Sequence, residues 1–313
     1  MTTPMITVQQ DGRSEPSVPA GAFTPAGLDA LPPPAMARKT EDVGVAKVGL
    51  SAANMFALSV LAGAFIALGA IFATTVTAGG STLPYGVVRL LAGLTFSLGL
   101  ILVVVAGAEL FTGNNLIVMA WASKRVSTAR LLRNWAIVYA GNFSGAIATA
   151  VLLFASKQYE FGKGAVGVQA LTIAATKTDY GFVQAIVLGA FCNALVCLAV
   201  WLCYGARTTA DKILAIVPPI AAFVAAGFEH SVANMFFIPM GLFVKSDTAF
   251  VSSQQGVPDM SDLTWARFLY ANLLPVTIGN IVGGALMVGA IYWFVYLRRS
   301  REQVGSSAPA ATP

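Results

Sequence analysis

Gly227-Phe228-Glu229-His230-Ser231-Val232-Ala233-Asn234 sets a glycine, a carboxylate, the chain's one histidine and an asparagine inside an apolar stretch running from Ile213 to Val244. That stretch is longer than a single bilayer crossing requires, which is about 20 residues for roughly 30 Å of hydrocarbon. Glycine and polar side chains at mid-span predict an unwound backbone in place of a continuous helix. A titratable ring at that depth is costly unless neutral or paired, so Glu229-His230 marks a candidate functional site. A neutral imidazole that merely ties two helices together is the competing reading.

Working outward, a second overlong stretch, Val87 to Ala122, carries Gly107-Ala108-Glu109-Leu110-Phe111-Thr112-Gly113-Asn114-Asn115 near its centre. Unbroken apolar segments lie at Ser51 to Val76, Leu131 to Ala155, Phe182 to Tyr204 and Phe268 to Leu297. Together these predict an all-α membrane protein of six transmembrane helices, the second and fifth broken. The composition agrees, with 57% hydrophobic and 11% charged residues. A net charge of +5 suggests nucleic-acid binding only if the bases cluster, and here they sit at helix ends. Cys192, Cys197 and Cys203 follow no thiol metal spacing and read as packing residues. One histidine and scattered thiols make no catalytic or metal constellation, so an enzyme, a metal site and a cofactor are not expected.

Six spans put both termini on one side. Basic residues on that side include Lys39, Lys47, Lys124, Arg125, Arg130, Arg133, Arg207, Lys212 and Arg298, against Arg89, Lys157, Lys163, Lys177, Lys245 and Arg267 opposite. The termini are therefore expected in the cytoplasm. Residues 1–42, rich in proline, read as a disordered cytoplasmic segment, 43–299 as the transport domain, and 300–313 as a flexible tail. Glu41 to Lys47 is a candidate helix for docking a cytoplasmic partner or closing the pore. Gly63-Ala64-Phe65, Gly107-Ala108-Glu109 and Gly141-Asn142 recur in order as Gly189-Ala190-Phe191, Gly227-Phe228-Glu229 and Gly279-Asn280. Three spans per copy make this an inverted 3+3 repeat, about 45–157 and 181–298, in which Leu110 answers His230 and Asn114 answers Asn234. Half-helices restarting after Asn115 and Asn234 would aim positive dipole ends at a small anion near the midplane.

The segments 108–113 and 227–235, with 193–201 and 272–284, resemble the signature segments of the formate/nitrite transporter family over about Val45 to Arg298. The resemblance implies an aquaporin-like protomer in a homopentamer of the bacterial inner membrane, each protomer holding its own path. It implies that Thr112 faces His230, that Leu100, Leu110 and Phe111 narrow the cytoplasmic side, and that Phe96, Val196 and Phe223 narrow the periplasmic side. The expected substrate is formate, favoured by Ala233 to Pro239, with nitrite or hydrosulfide as alternatives and a neutral-solute channel as the reading from another class. Lys177, placed in an external turn, is expected to draw in the anion. His230 is expected to donate or relay a proton so that the neutral acid crosses, with Glu229 behind it and Asn193 and Asn280 as polar partners.

Overall fold

The computed structural model describes residues 30–79 and 83–298, which are helical with no strand among the described residues. Helix α1, Pro33–Val48, starts on a proline, whose missing N–H and fixed φ suit the first turn. Residues 33–42, expected to lack order, therefore belong to a helix, with 30–32 leading into it outside any helix; residues 1–29 and the tail lie outside the described residues. The first span, α2, is Ala52–Thr77, capped by Ser51 Oγ accepting from Asn54 N. Helix α3, Tyr85–Val105, ends at the first break. The chain resumes as α4, Phe111–Asn114, a 3₁₀ turn, Asn115–Ile117, and α5, Val118–Ala122. Helix α6, Thr128–Ala155, completes the first half.

The second half repeats this order. Helix α7, Ala165–Thr178, precedes α8, Phe182–Gly205, and α9, Thr209–Ala226, which ends at the second break. Helix α10, Ser231–Ser246, follows, then the short α11, Thr248–Ser253, and the long α12, Trp265–Tyr296. Among the described residues six helices are long and apolar enough to cross a membrane: α2, α3, α6, α8, α9 and α12. Pro275 lacks the N–H that an α-helical register needs, and α12 widens into a π turn at Phe268–Leu273 just before it.

Each half packs the same way, α2 against α3 and α6, and α8 against α9 and α12, while α3 crosses to α9 and joins the halves. Glycine makes these crossings close enough for a membrane interior, where small residues let backbones touch. A Cβ on Gly145 would strike the Val60 carbonyl, and its counterpart on Gly283 would strike the Ala190 carbonyl. The repeats begin one helix earlier than the apolar pattern implies, because α1 and α7 occupy equivalent places beside the second half-helix of each break. Both are too short and too polar to register as spans. Helix α1 also packs on the end of α12, placing these two elements at one face of the bundle, with α7 at the other.

Candidate conduction site at the paired helix breaks

The two breaks share one backbone design. Gly107 and Gly227 stand at φ 81° and 80°, a left-handed conformation that costs a side-chain-free residue little. Ala108 N then bonds Val103 O at 2.9 Å and Phe228 N bonds Phe223 O at 3.0 Å, closing the first half-helices. The following residues run extended, and their donors are collected by neighbouring helices. Glu109 N reaches Leu58 O on α2 at 3.2 Å, and Glu229 N reaches Leu188 O on α8 at 3.3 Å. Asn142 Oδ1 accepts Phe111 N at 2.9 Å, and Asn280 Oδ1 accepts Ser231 N at 2.9 Å. Their amide groups donate back to Ser59 O and Glu109 O, and to Gly189 O and Glu229 O. Unwound backbone at mid-bilayer depth is thus satisfied inside the protein, as hydrocarbon demands.

The half-helices restart at Phe111 and Ser231, earlier than the asparagines suggested. Asn114, Asn115 and Asn234 lie inside the resumed turns, where Asn114 and Asn234 are ligands to the buried carboxylates instead of breaking the helix. Asn114 Nδ2 donates to Glu109 Oε2 at 2.8 Å and Asn134 Oδ1 at 3.0 Å; Asn234 Nδ2 donates to Glu229 Oε2 and Asn272 Oδ1, both at 2.7 Å. A lysine completes each cluster, Lys47 to Glu109 at 2.7 Å and Lys177 to Glu229 at 2.6 Å. Lys47 entered the sequence reading only as a topology marker and as the end of the candidate helix 41–47, not as a partner of Glu109. The visible signal was that Lys47 ends α1 as Lys177 ends α7, and both face a break carboxylate. Lys177 sits in the last turn of α7, paired, and not in a solvated turn. Glu229 is held by Lys177, Asn234 and Asn272, and makes no side-chain bond to His230.

The imidazole is placed by its own backbone. His230 is the N-cap of α10, with Nδ1 accepting Ala233 N at 3.1 Å, and Nε2 lies 3.0 Å from Thr112 Oγ1. Because Nδ1 already spends its lone pair on an N–H, the ring hydrogen is assigned to Nε2, which donates to Thr112. The side chains at the two breaks thus meet directly. Thr112 is fixed from behind by α8, where Asn193 Nδ2 donates to Thr112 O at 3.3 Å and to Asn280 O at 2.7 Å, and Cys197 Sγ approaches Thr112 O at 3.4 Å.

Two cavities approach this bridge from opposite faces. One, about 420 Å³, has α7 on its wall and is lined by Phe96, Phe223, Lys177, Glu229 and His230. The other, about 360 Å³, has α1 on its wall and is lined by Leu100, Leu110, Lys47 and Glu109. Phe96 and Leu100 are one turn apart on α3, so about 6 Å of rise separates the residues facing each cavity. Phe223 packs edge-on to Phe96 with centroids 5.7 Å apart, and its ring lies 6.0 Å from that of His230. Thr112, Val196, Asn193 and Asn280 are buried and line neither cavity. Phe111 does not join Leu100 and Leu110. As the first residue of α4 it turns toward α6, packing on Tyr139 at 4.9 Å and Trp135 at 6.0 Å. Arg89, counted from the sequence only as a topology marker, lines the cavity on the α7 side and donates to the Val224 and Ala225 carbonyls. Among the described residues no cluster of side chains is suited to a metal ion.

A family model described as Formate/nitrite transporter matches residues 34–294. The formate channel FocA of Escherichia coli (strain K12) is 44% identical over 276 residues, covering 87% of this chain and 97% of that one. FocA of Haemophilus influenzae is 43% identical over 237 residues, 75% of this chain and 84% of its own length. A solved structure, a pentameric formate channel with formate bound, superposes with a TM-score of 0.74 at 44% identity, covering 79% of this chain and 98% of that chain.

Proposed function

The chain belongs to the formate/nitrite transporter family, and on that premise we propose that it conducts formate through each protomer of a homopentamer. The observation that carries the reading is the His230–Thr112 bridge at 3.0 Å, set between two cavities that approach from opposite faces. The excess of lysine and arginine on the α1 side supports an inner-membrane orientation with both termini cytoplasmic, so that the α7 side faces the periplasm.

From one cavity to the other the path passes Phe96 and Phe223, which line the first, and Leu100 and Leu110, which line the second, all buried and apolar. A carboxylate stripped of water there costs several kcal/mol, whereas the neutral acid costs far less. Formate crosses as the acid, and His230 with Thr112 is where its proton is handled. The resting ring offers Nε2–H, and Thr112 keeps its own hydroxyl hydrogen for a carboxylate oxygen. To donate outright, the ring takes a proton at Nδ1 from the solvent of the α7-side cavity, releases the Ala233 N–H and passes its Nε2 proton to the carboxylate; it gives up a cap worth about 1 kcal/mol and carries a buried positive charge until the proton is passed on. Lys177 and Glu229 hold the break in shape through this step.

The test is uptake in proteoliposomes at two pH values, with formate, nitrite and hydrosulfide in turn. Formate flux is expected to exceed the other two and to rise as pH falls, and His230→Asn is expected to abolish that rise with the pentamer intact. Equal flux for the three substrates removes the formate assignment. Unchanged flux and pH dependence in the variant removes the proton step.

A further inference from the structure

We infer that Arg89, and not Lys177, is the cation that draws the anion into the cavity on the α7 side. The inference rests on the anion-conducting reading above. Three residues with formal charges line that cavity: Arg89, Lys177 and Glu229. Lys177 Nζ is 2.6 Å from Glu229 Oε1, with 14% and 1% of the two side chains exposed. A buried contact pair presents a dipole to the cavity, not a net charge, so its pull on a monovalent anion fades within a few ångströms.

Arg89 has no such partner. It makes no ion pair among the described residues. Nε donates to Ala225 O at 3.2 Å and Nη2 to Val224 O, both neutral carbonyls that hold the planar group without cancelling its charge. These carbonyls belong to the last turn of α9, which ends at Ala226 beside the cavity. The C-terminus of a helix carries the negative end of its dipole and would repel an approaching carboxylate. Arg89 covers that end and reverses its sign. Its fork reaches two adjacent carbonyls at once, a geometry an ammonium cannot reproduce. On α3 it precedes Phe96 by seven residues, about 10 Å of rise. The charge therefore lies on the same helical face as Phe96, about two turns before it, on the wall of the same cavity.

Initial rates of formate uptake into proteoliposomes, measured against concentration at low and at ~0.5 M inert salt, test this. Arg89→Gln is expected to raise the half-saturating formate concentration by about tenfold at low salt, with the maximal rate kept and the difference closing at high salt. Arg89→Lys is expected to stay near wild type in half-saturation. Tyr85→Glu leaves the carbonyl contacts alone but sets a carboxylate one turn before Arg89 on the exposed start of α3. It is expected to raise half-saturation in the same salt-sensitive way. If both arginine variants lose maximal rate equally while half-saturation stands still, or if Tyr85→Glu changes nothing, Arg89 is a structural pin and the inference fails. A wild-type protein that takes up no formate overturns the parent reading instead, and the two failures are separable.

Discussion

Replacing Asn280 by Ala tests whether the second break is a built site or a slack loop. The side chain is fully buried, and its amide makes three bonds: Oδ1 from Ser231 N at 2.9 Å, Nδ2 to Gly189 O at 2.9 Å, and Nδ2 to Glu229 O at 3.0 Å. Alanine leaves Ser231 N and Glu229 O without a protein ligand, while Gly189 O, inside α8, loses only its second donor. A buried polar group stranded in this way costs about 1–3 kcal/mol, so with two stranded the ordered break loses roughly 2–6 kcal/mol, less whatever a water molecule restores. If only about 3 kcal/mol of that weighs against the conducting geometry, flux falls roughly a hundredfold. Asn280→Asp should fare no better, because it keeps the acceptor for Ser231 but turns carboxylate oxygen toward two carbonyls. The assays are formate flux in proteoliposomes and hydrogen exchange at the Ser231 amide, read on protein whose assembly has been checked by size. Near-normal flux with the Ser231 amide still protected would refute the reasoning, since the break would then hold its shape without its main ligand.

Two further outcomes follow from the same physics. Lys177→Met strands the Glu229 carboxylate and should lower thermal stability more than Lys177→Met with Glu229→Gln, the single change costing about 3–5 kcal/mol; equal losses would show that the pair is not coupled. Gly145→Val and Gly283→Val, which force side chains into facing carbonyls, should abolish assembly judged by size-exclusion profile, whereas Gly86→Ala, with open space around it, should leave the profile unchanged; a normal profile for both valine variants would refute the close-packing account.

Much of the architecture was legible because hydrocarbon imposes simple rules. A span must be long and apolar, and the glycine and carboxylate of each break stand out against that background. The mirrored triplets were legible for the same reason, and they located Asn142 and Asn280, which turn out to hold the breaks. What escaped was information carried by pairing. Lys47 and Glu109 lie 62 residues apart, and Lys177 and Glu229 lie 52 apart, on helices too short to announce themselves. Asparagine at Asn114 and Asn234 reads locally as a helix breaker, and only the folded chain shows a buried carboxylate waiting for its amide. Phe111 and Leu110 are neighbours of like polarity, yet the turn that begins between them sends one to a cavity wall and the other into α6.

The single turn of α3 between Phe96 and Leu100 has an electrical meaning. Two cavities reaching in from opposite faces leave the membrane potential little thickness over which to fall, and most of the drop concentrates on that turn. Moving one charge through such a drop involves about 2.3 kcal/mol per 100 mV. A resting cell would expel anions strongly through a path that passed them bare. Passing the acid, as proposed above, would make each transit electroneutral, so that voltage would do no work on it and the direction of flow would be left to the gradients of formate and of protons.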